Sequence, residues 1–302
     1  METRKLPAES LVRRLPYTSK MVKVSPVVFT FFVFLVTGFA QVSASESQHA
    51  HGAQTYLGFD RNDYPGDANL AALRKTFAFS GYWLNNPPGE HSNGWRGKRL
   101  LLEREGFGFL LLYNGRSYAQ LKSVRNPGAA DGRQAAHAAE AEGFRQGSVI
   151  FLDQEEGGRM LAEQKRYVFA WAEAVRQAGY RPGIYCSGIE IAEEHGRSIS
   201  TARDLHDSAQ GRELVFWVAN DACPPSPGCT FPKEPASPVT SGAPFAEVWQ
   251  FAQSPIRRQF SAACIATYRK DGDCYAPGLP SRLQLHLDVN TSSNPDPSHT
   301  KS

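Results

Sequence analysis

The residue types best able to do chemistry are gathered in the stretch Gly147 to Gly158, GSVIFLDQEEGG. An apolar run, Val149-Ile150-Phe151-Leu152, leads into Asp153, Gln154, Glu155 and Glu156, and two glycines follow. A short β-branched and aromatic run predicts a buried strand. Side chains alternate along a strand, so Asp153 and Glu155 share one face while Gln154 takes the other. Two residues of strand rise place them about 6.6 Å apart, a workable spacing for two carboxyls acting on one glycosidic bond. Acids in this position can equally cap the next helix or face solvent.

Two other predicted strands also end in an acid: Asp60 after TYLGF and Asp288 after LQLHL. In a closed parallel barrel the C-terminal ends of all strands meet at one mouth, so strands distant in sequence deliver their acids to one place. Asp60, Asp153, Glu155 and Asp288 thereby form a candidate catalytic constellation. Tyr113, Tyr185, Trp217, Trp249 and Gln250 fall at further strand ends. Flat rings and an amide suit a carbohydrate cleft, although such rings also pack into cores. His286 sits between two apolar residues and reads as a core histidine rather than a ligand.

The elements that must position these residues follow in order. Thr55–Phe59, Phe79–Leu84 and Phe107–Tyr113 read as the first three strands, and the acid-bearing run is the fourth. Pro182–Cys186, Leu214–Ala219, Glu247–Phe251 and Leu283–Leu287 complete a set of eight. Helices are predicted from Asp67 as cap through Leu70, Leu73 and Phe77, over Trp95–Glu105 up to Gly106, over Asp131–Arg145, and over Met160–Ala178. Leu161, Val168, Trp171, Val175 and Ala178 make the apolar stripe of the last of these, with Trp171 as core. Another helical stretch is expected after Ser187-Gly188. Strands alternating with helices imply βαβ units and a parallel sheet, and the full set implies an irregular (β/α)8 TIM-like barrel.

The chain has 302 residues, 41% of them hydrophobic, and a formal net charge of +3. That charge is too weak to argue for nucleic acid as a partner, and it fits anionic cell-surface polymers only softly. Basic residues from Arg4 to Lys23, an apolar core from Val27 to Val36 and the small residues Val42-Ser43-Ala44 fit a secretory signal over residues 1–44. Met21 is an alternative start, and a retained membrane anchor is the alternative fate of the segment. Once the signal is removed no stable membrane span is expected. Residues 45–54 read as a spacer, 55–291 as the barrel domain and 292–302, rich in Ser, Pro and Asn, as a disordered tail. In an exported chain, Cys223 with Cys229 and Cys264 with Cys274 read as local disulfides, and Cys186 as a buried free thiol. No metal or cofactor is expected, and the protein is expected to be a monomer.

Several short motifs carry a resemblance. GFD at Gly58–Asp60, FLDQEE at Phe151–Glu156, RPGIYCSG at Arg181–Gly188, FWVAND at Phe216–Asp221, VWQFAQ at Val248–Gln253 and LDVN at Leu287–Asn290 resemble, in order, strands of the glycoside hydrolase family 25 lysozymes. The order is also close to a bacterial glycoside-hydrolase-like domain of unknown function. The resemblance spans Thr55 to Thr291. It implies a secreted barrel that cleaves β-1,4 links in peptidoglycan. Glu155 would be the general acid and Asp153 its assistant, with Asp60 and Asp288 lining the pocket. Glu156 and the cysteine-bearing loops depart from the family pattern, and a fold-level likeness does not guarantee activity.

Closely spaced acids raise one another's proton affinity, so one of them stays protonated near neutral pH. Glu155 is the expected proton holder. Two other functions remain open on the sequence: a non-catalytic glycan or cell-wall binder, and a metal-dependent phosphodiesterase, against which the lack of well-placed histidines counts.

Overall fold

The structure, a computed structural model, describes residues 54–221, 235–253, 285 and 287–301. The N-terminal residues expected to be a signal, His286 and the cysteines at 223, 229, 264 and 274 lie outside the described residues.

Eight strands close into a barrel. In chain order the described elements are β1 (Tyr56–Asp60), α1 (Leu70–Arg74), β2 (Phe79–Trp83), α2 (Arg99–Arg104), β3 (Gly108–Asn114), α3 (Tyr118–Leu121), α4 (Gly128–Ala141), β4 (Val149–Gln154), α5 (Ala162–Gln177), β5 (Arg181–Ser187), β6 (Ile191–Ala192), β7 (Ser198–Ile199), α6 (Thr201–Ser208), β8 (Val215–Ala219), β9 (Ala246–Ala252) and β10 (Asp288–Ser292). The order around the barrel is β1-β10-β9-β8-β5-β4-β3-β2, and β6 and β7 form a separate two-stranded hairpin. The expected TIM-like α/β barrel is the fold observed.

The strands are short, apolar and buried on both faces, as a closed sheet under helices requires. Phe59, Phe79, Leu110, Ile150, Phe151, Ile184, Trp217 and Val248 belong to one continuous core. Outside the barrel α4 packs on α5. The approach is close because α4 turns glycines toward its neighbour: a Cβ on Gly132 would lie 2.5 Å from the Trp171 carbonyl oxygen. Tyr167, Val168, Trp171 and Val175 bury the inner face of α5. Leu161 does not join that stripe; it sits at the helix N-cap with 46% of its surface exposed.

Several elements differ from expectation for identifiable reasons. Asp67 makes no capping bond; its carboxylate instead takes the Lys98 ammonium at 2.8 Å, and a 3-10 turn leads into α1. The helix expected from Trp95 begins only at Arg99. Trp95 is pinned by its indole N–H to the Asn62 carbonyl (2.9 Å), and Gly97 adopts φ +76°, which helical backbone excludes. The helical stretch expected after Gly188 starts as the β6–β7 hairpin and becomes α6 only after Ser200, whose hydroxyl accepts from the Arg203 N–H.

The final strand is the largest correction. It begins at Asp288 rather than ending there, and it runs antiparallel to both β1 and β9. Because its direction is reversed, its N-terminal end lies where the parallel strands have their C-terminal ends. Asp288 therefore still reaches the mouth and stands opposite Asp60 in the register.

The tail after Asn290 is also ordered through Lys301, contrary to its composition. β3 and β4 pair only from Leu111 onward, and the tail fills the gap below. Ser298 accepts from the Val149 N–H (2.8 Å) and donates to the Phe109 carbonyl (2.9 Å) through its backbone. The Ser298 hydroxyl accepts from the Leu111 N–H, and the Asp296 carboxylate accepts from the Phe109 N–H, each at 2.9 Å. Short polar side chains that composition assigns to disorder here satisfy buried backbone donors.

Candidate active site

Strand alternation decides which side chains enter the barrel mouth. Along β4, Asp153 faces the interior, and its register neighbours on either side are Asn114 of β3 and Tyr185 of β5. Tyr185 is followed in register by Trp217 of β8, and the two rings meet edge to face with centroids 4.7 Å apart. Asp60 enters from β1 beside Gly81 of β2. A Cβ on Gly81 would lie 2.7 Å from the Asp60 Cβ, so only glycine leaves the acid room.

A hydrogen-bonded chain crosses this layer. The Trp217 indole N–H donates to Asn290 Oδ1 (2.9 Å), and Asn290 Nδ2 donates to Asp60 Oδ1 (2.7 Å). Gln250 Nε2 donates to the same Asp60 oxygen (3.0 Å). Gln250 Oε1 in turn accepts from the Tyr185 hydroxyl (2.8 Å) and from Gln253 Nε2 (2.9 Å). Strands β1, β5, β8, β9 and β10 are thus joined through side chains at one level of the mouth.

The acids are electrostatically unlike one another. Burial pushes the Asp60 carboxyl up from 3.8 to about 6, against the opposing pull of the bonds from Asn290 and Gln250. Asp153 is raised further above the ordinary carboxylate range, first by burial and then by the neighbouring charges of Glu155 and Asp60. Its Oδ1 is buried without a hydrogen-bond partner, which disfavours the ionised form. Glu155 lies one residue beyond β4 and is exposed at the exit, yet the protein crowding it still raises its carboxyl. Tyr185 is held well above its usual value by burial and by the charges of Asp60, Asp153, Asp288 and Glu155, in that order. All four acids therefore act on one phenol.

Glu155 borders two cavities. One, of about 260 Å³, lies beside Asp153, Asn114, Arg116 and Gln120. The other, of about 320 Å³, is lined by Tyr185, Ser187, Ile189, Asp221 and Gln253. A larger cavity of about 760 Å³ lies away from the acids, between Leu121–Ala129 and α5.

The sequence-predicted residues divide cleanly. Asp60, Asp153, Glu155, Asp288, Tyr185, Trp217 and Gln250 converge. Tyr113 and Trp249 do not, because they point outward from their strands. The Tyr113 hydroxyl donates to Gln134 on α4, and the Trp249 indole N–H donates to the Asn220 carbonyl. Glu156, the extra acid, borders the 260 Å³ cavity but is engaged structurally, tying together the starts of α3 and α5 by accepting from the Tyr118 N–H and Gln164 Nε2. Sequence reasoning passed over Asn290 and Asp221. Asn290 was detectable, since it shares a strand face with Asp288. Cys186 is a buried free thiol whose burial pushes it up and leaves it unreactive. Among the described residues no group of three or more His, Cys, Asp or Glu could hold a metal ion, and no helix is long and apolar enough to cross a membrane.

Residues 92–259 match the family described as Rv2525c-like, glycoside hydrolase-like domain, which is more than half of the chain. The chain belongs to this family. Similar solved structures include an uncharacterized Bacillus stearothermophilus protein, 19% identical, with a TM-score of 0.49, covering 78% of this chain and 94% of that one. Another is the Mycobacterium tuberculosis Tat-secreted protein Rv2525c in complex with HEPES, 13% identical, TM-score 0.48, covering 80% and 96%. A bacterial lysozyme from Streptomyces coelicolor is 12% identical, with a TM-score of 0.45, covering 79% and 92%. Comparison with curated proteins returned no match.

Proposed function

We propose that this glycoside hydrolase-like protein is a secreted glycosidase acting on a β-1,4-linked cell-wall polysaccharide, peptidoglycan above all. The reading is carried by the gathering of Asp60, Asp153, Glu155 and Asp288 around Tyr185, at a mouth whose two cavities adjoin at Glu155. Glycoside cleavage needs a proton for the leaving oxygen and negative charge beside the positive carbon that forms as the bond breaks. Crowded, partly desolvated carboxyls keep a proton at neutral pH.

In this scheme Glu155, the acid that touches both cavities, passes its proton to the glycosidic oxygen. The C–O bond breaks, and the departing sugar leaves with that proton. Ionised carboxylate among the remaining acids stabilises the oxocarbenium-like centre, and water adds its hydroxyl to the anomeric carbon while its proton returns to Glu155. The Trp217–Asn290–Asp60–Gln250–Tyr185 chain holds Asp60 and the phenol in place. Secretion is inferred from the basic and then apolar N-terminal segment.

The test is release of reducing ends from purified peptidoglycan and chitooligosaccharide by the wild type and by Glu155→Gln. The reading predicts release by the wild type and a drop of at least about a hundredfold in the variant. Equal release by both overturns the assignment of Glu155. Retention on insoluble peptidoglycan with no sugar released by the wild type replaces the enzyme with a binding protein.

A further inference from the structure

The 760 Å³ cavity takes no part in the chemistry proposed above. It lies between the Leu121–Ala129 segment and α5. Its size suits a small organic group or a short stretch of polymer, since sites for such ligands span about 300–1,000 Å³. Three cations line it, Lys122 and Arg125 from the segment and Arg166 from α5. All three are exposed, and none makes an ion pair with a described residue. The one carboxylate among the described lining residues is Glu163, which accepts from the Tyr118 hydroxyl (3.2 Å). The Lys122 ammonium lies 4.3 Å from the centroid of the same Tyr118 ring.

The charge is therefore lopsided, with three cations against one carboxylate. Cations gathered in this way draw anions from solution. The same lining carries apolar surface, from Leu121, Val124, Pro127 and Ala170. Val124 is 41% exposed, an apolar side chain left uncovered beside the cations. A bare inorganic ion would leave that surface in water, whereas an anion carried on a carbon chain covers it. The cavity also neighbours the mouth through α3. Gln120 lines the 260 Å³ space beside Glu155, and Leu121, the next residue, lines this one.

We propose that this cavity is an exosite for a phosphodiester polymer of the cell surface, with Arg125 and Arg166 as its anion contacts. A carboxylate presents its oxygens in one plane and is matched edge to edge by a single guanidinium fork. Here two guanidiniums come from different elements, together with an ammonium. A tetrahedral phosphate offers oxygens to cations on more than one side, and successive phosphodiesters supply a charge at each repeat. The carbon chain between phosphates then lies on Val124 and its apolar neighbours. Occupancy here holds the barrel against a polyanionic surface with the mouth close by across α3, which raises the local concentration of glycan without filling the catalytic cleft. The choice of a cell-surface source rests on the exported, wall-directed reading above; the anion site itself does not.

The test is calorimetric titration of the purified chain with a short oligo(glycerol phosphate), an oligoglutamate of equal charge, and inorganic phosphate. The oligo(glycerol phosphate) is expected to bind at least about tenfold more tightly than either of the others at low salt, with affinity falling as salt rises. Arg125→Gln combined with Arg166→Gln is expected to weaken that binding at least about tenfold. Both side chains are exposed and unpaired among the described residues, so folding is not at stake. A control pair, Lys75→Gln with Arg203→Gln, makes the same change in net charge at exposed positions outside the cavity and is expected to leave the affinity unchanged. No binding of oligo(glycerol phosphate), equal binding of either competing anion, an affinity untouched by the Arg125 and Arg166 substitutions, or equal weakening by the control pair overturns the exosite. Binding that depends on Arg125 and Arg166, alongside a wild type that releases no reducing ends from any glycan, fails the enzymatic reading and upholds the exosite.

Discussion

Asp60 offers a sharp test of the electrostatics at the mouth. Its carboxyl is buried, and its proton affinity rises from an ordinary 3.8 to about 6. A carboxyl raised in this way favours the folded state while protonated. Its contribution is fully present below 3.8 and is lost as pH rises through about 6. The interval corresponds to about 3 kcal/mol. Asp60→Asn removes the charge but keeps an amide oxygen able to accept from Asn290 and Gln250. The variant is expected to gain stability relative to the wild type as pH rises through this window, with a plateau above it. Urea denaturation of both proteins at a series of pH values measures the difference directly. A difference that stays flat with pH, or one that moves in the wild type's favour, refutes the account of a buried, destabilising carboxylate. On the proposed mechanism the same substitution is expected to impair turnover, since it removes an ionisable carboxyl from the mouth.

Three further outcomes follow from single contacts. Gln250→Ala removes one donor from Asp60 and the acceptor of the Tyr185 hydroxyl, so denaturant titration should show a loss of about 1–3 kcal/mol. Ser298→Ala leaves the buried Leu111 N–H without its acceptor, and the same assay should show a similar loss of about 1–3 kcal/mol, whereas a disordered tail would show none. The pH profile of kcat/KM should fall as pH rises, with its alkaline limb above the ordinary glutamate value of 4.5, because Glu155 must carry its proton to act. An activity that rises through that range would place the proton donor elsewhere.

Much of the barrel was readable because its strands are apolar runs bounded by glycine and polar residues. What escaped has physical causes. Period-two alternation already forbids Trp249 and Gln250 from sharing a face, and the same parity separates Tyr113 from Asn114, so two of the five candidate sugar contacts were separable in principle. The direction of β10 was not readable. An antiparallel strand that starts at Asp288 and a parallel one that ends there put the carboxyl in the same place, and only backbone pairing distinguishes them. The β6–β7 hairpin and the ordered tail escaped because their stability comes from tertiary hydrogen bonds, to which local composition is blind.

The most direct measurement is a crystal structure of Glu155→Gln with a bound chitotetraose. The account predicts a glycosidic oxygen within hydrogen-bond reach of the residue-155 amide, about 3 Å, with a sugar ring over the Asp60, Asp153 and Asp288 layer. A saccharide seated in the 760 Å³ cavity beside α5, with the mouth occupied only by water, would contradict it.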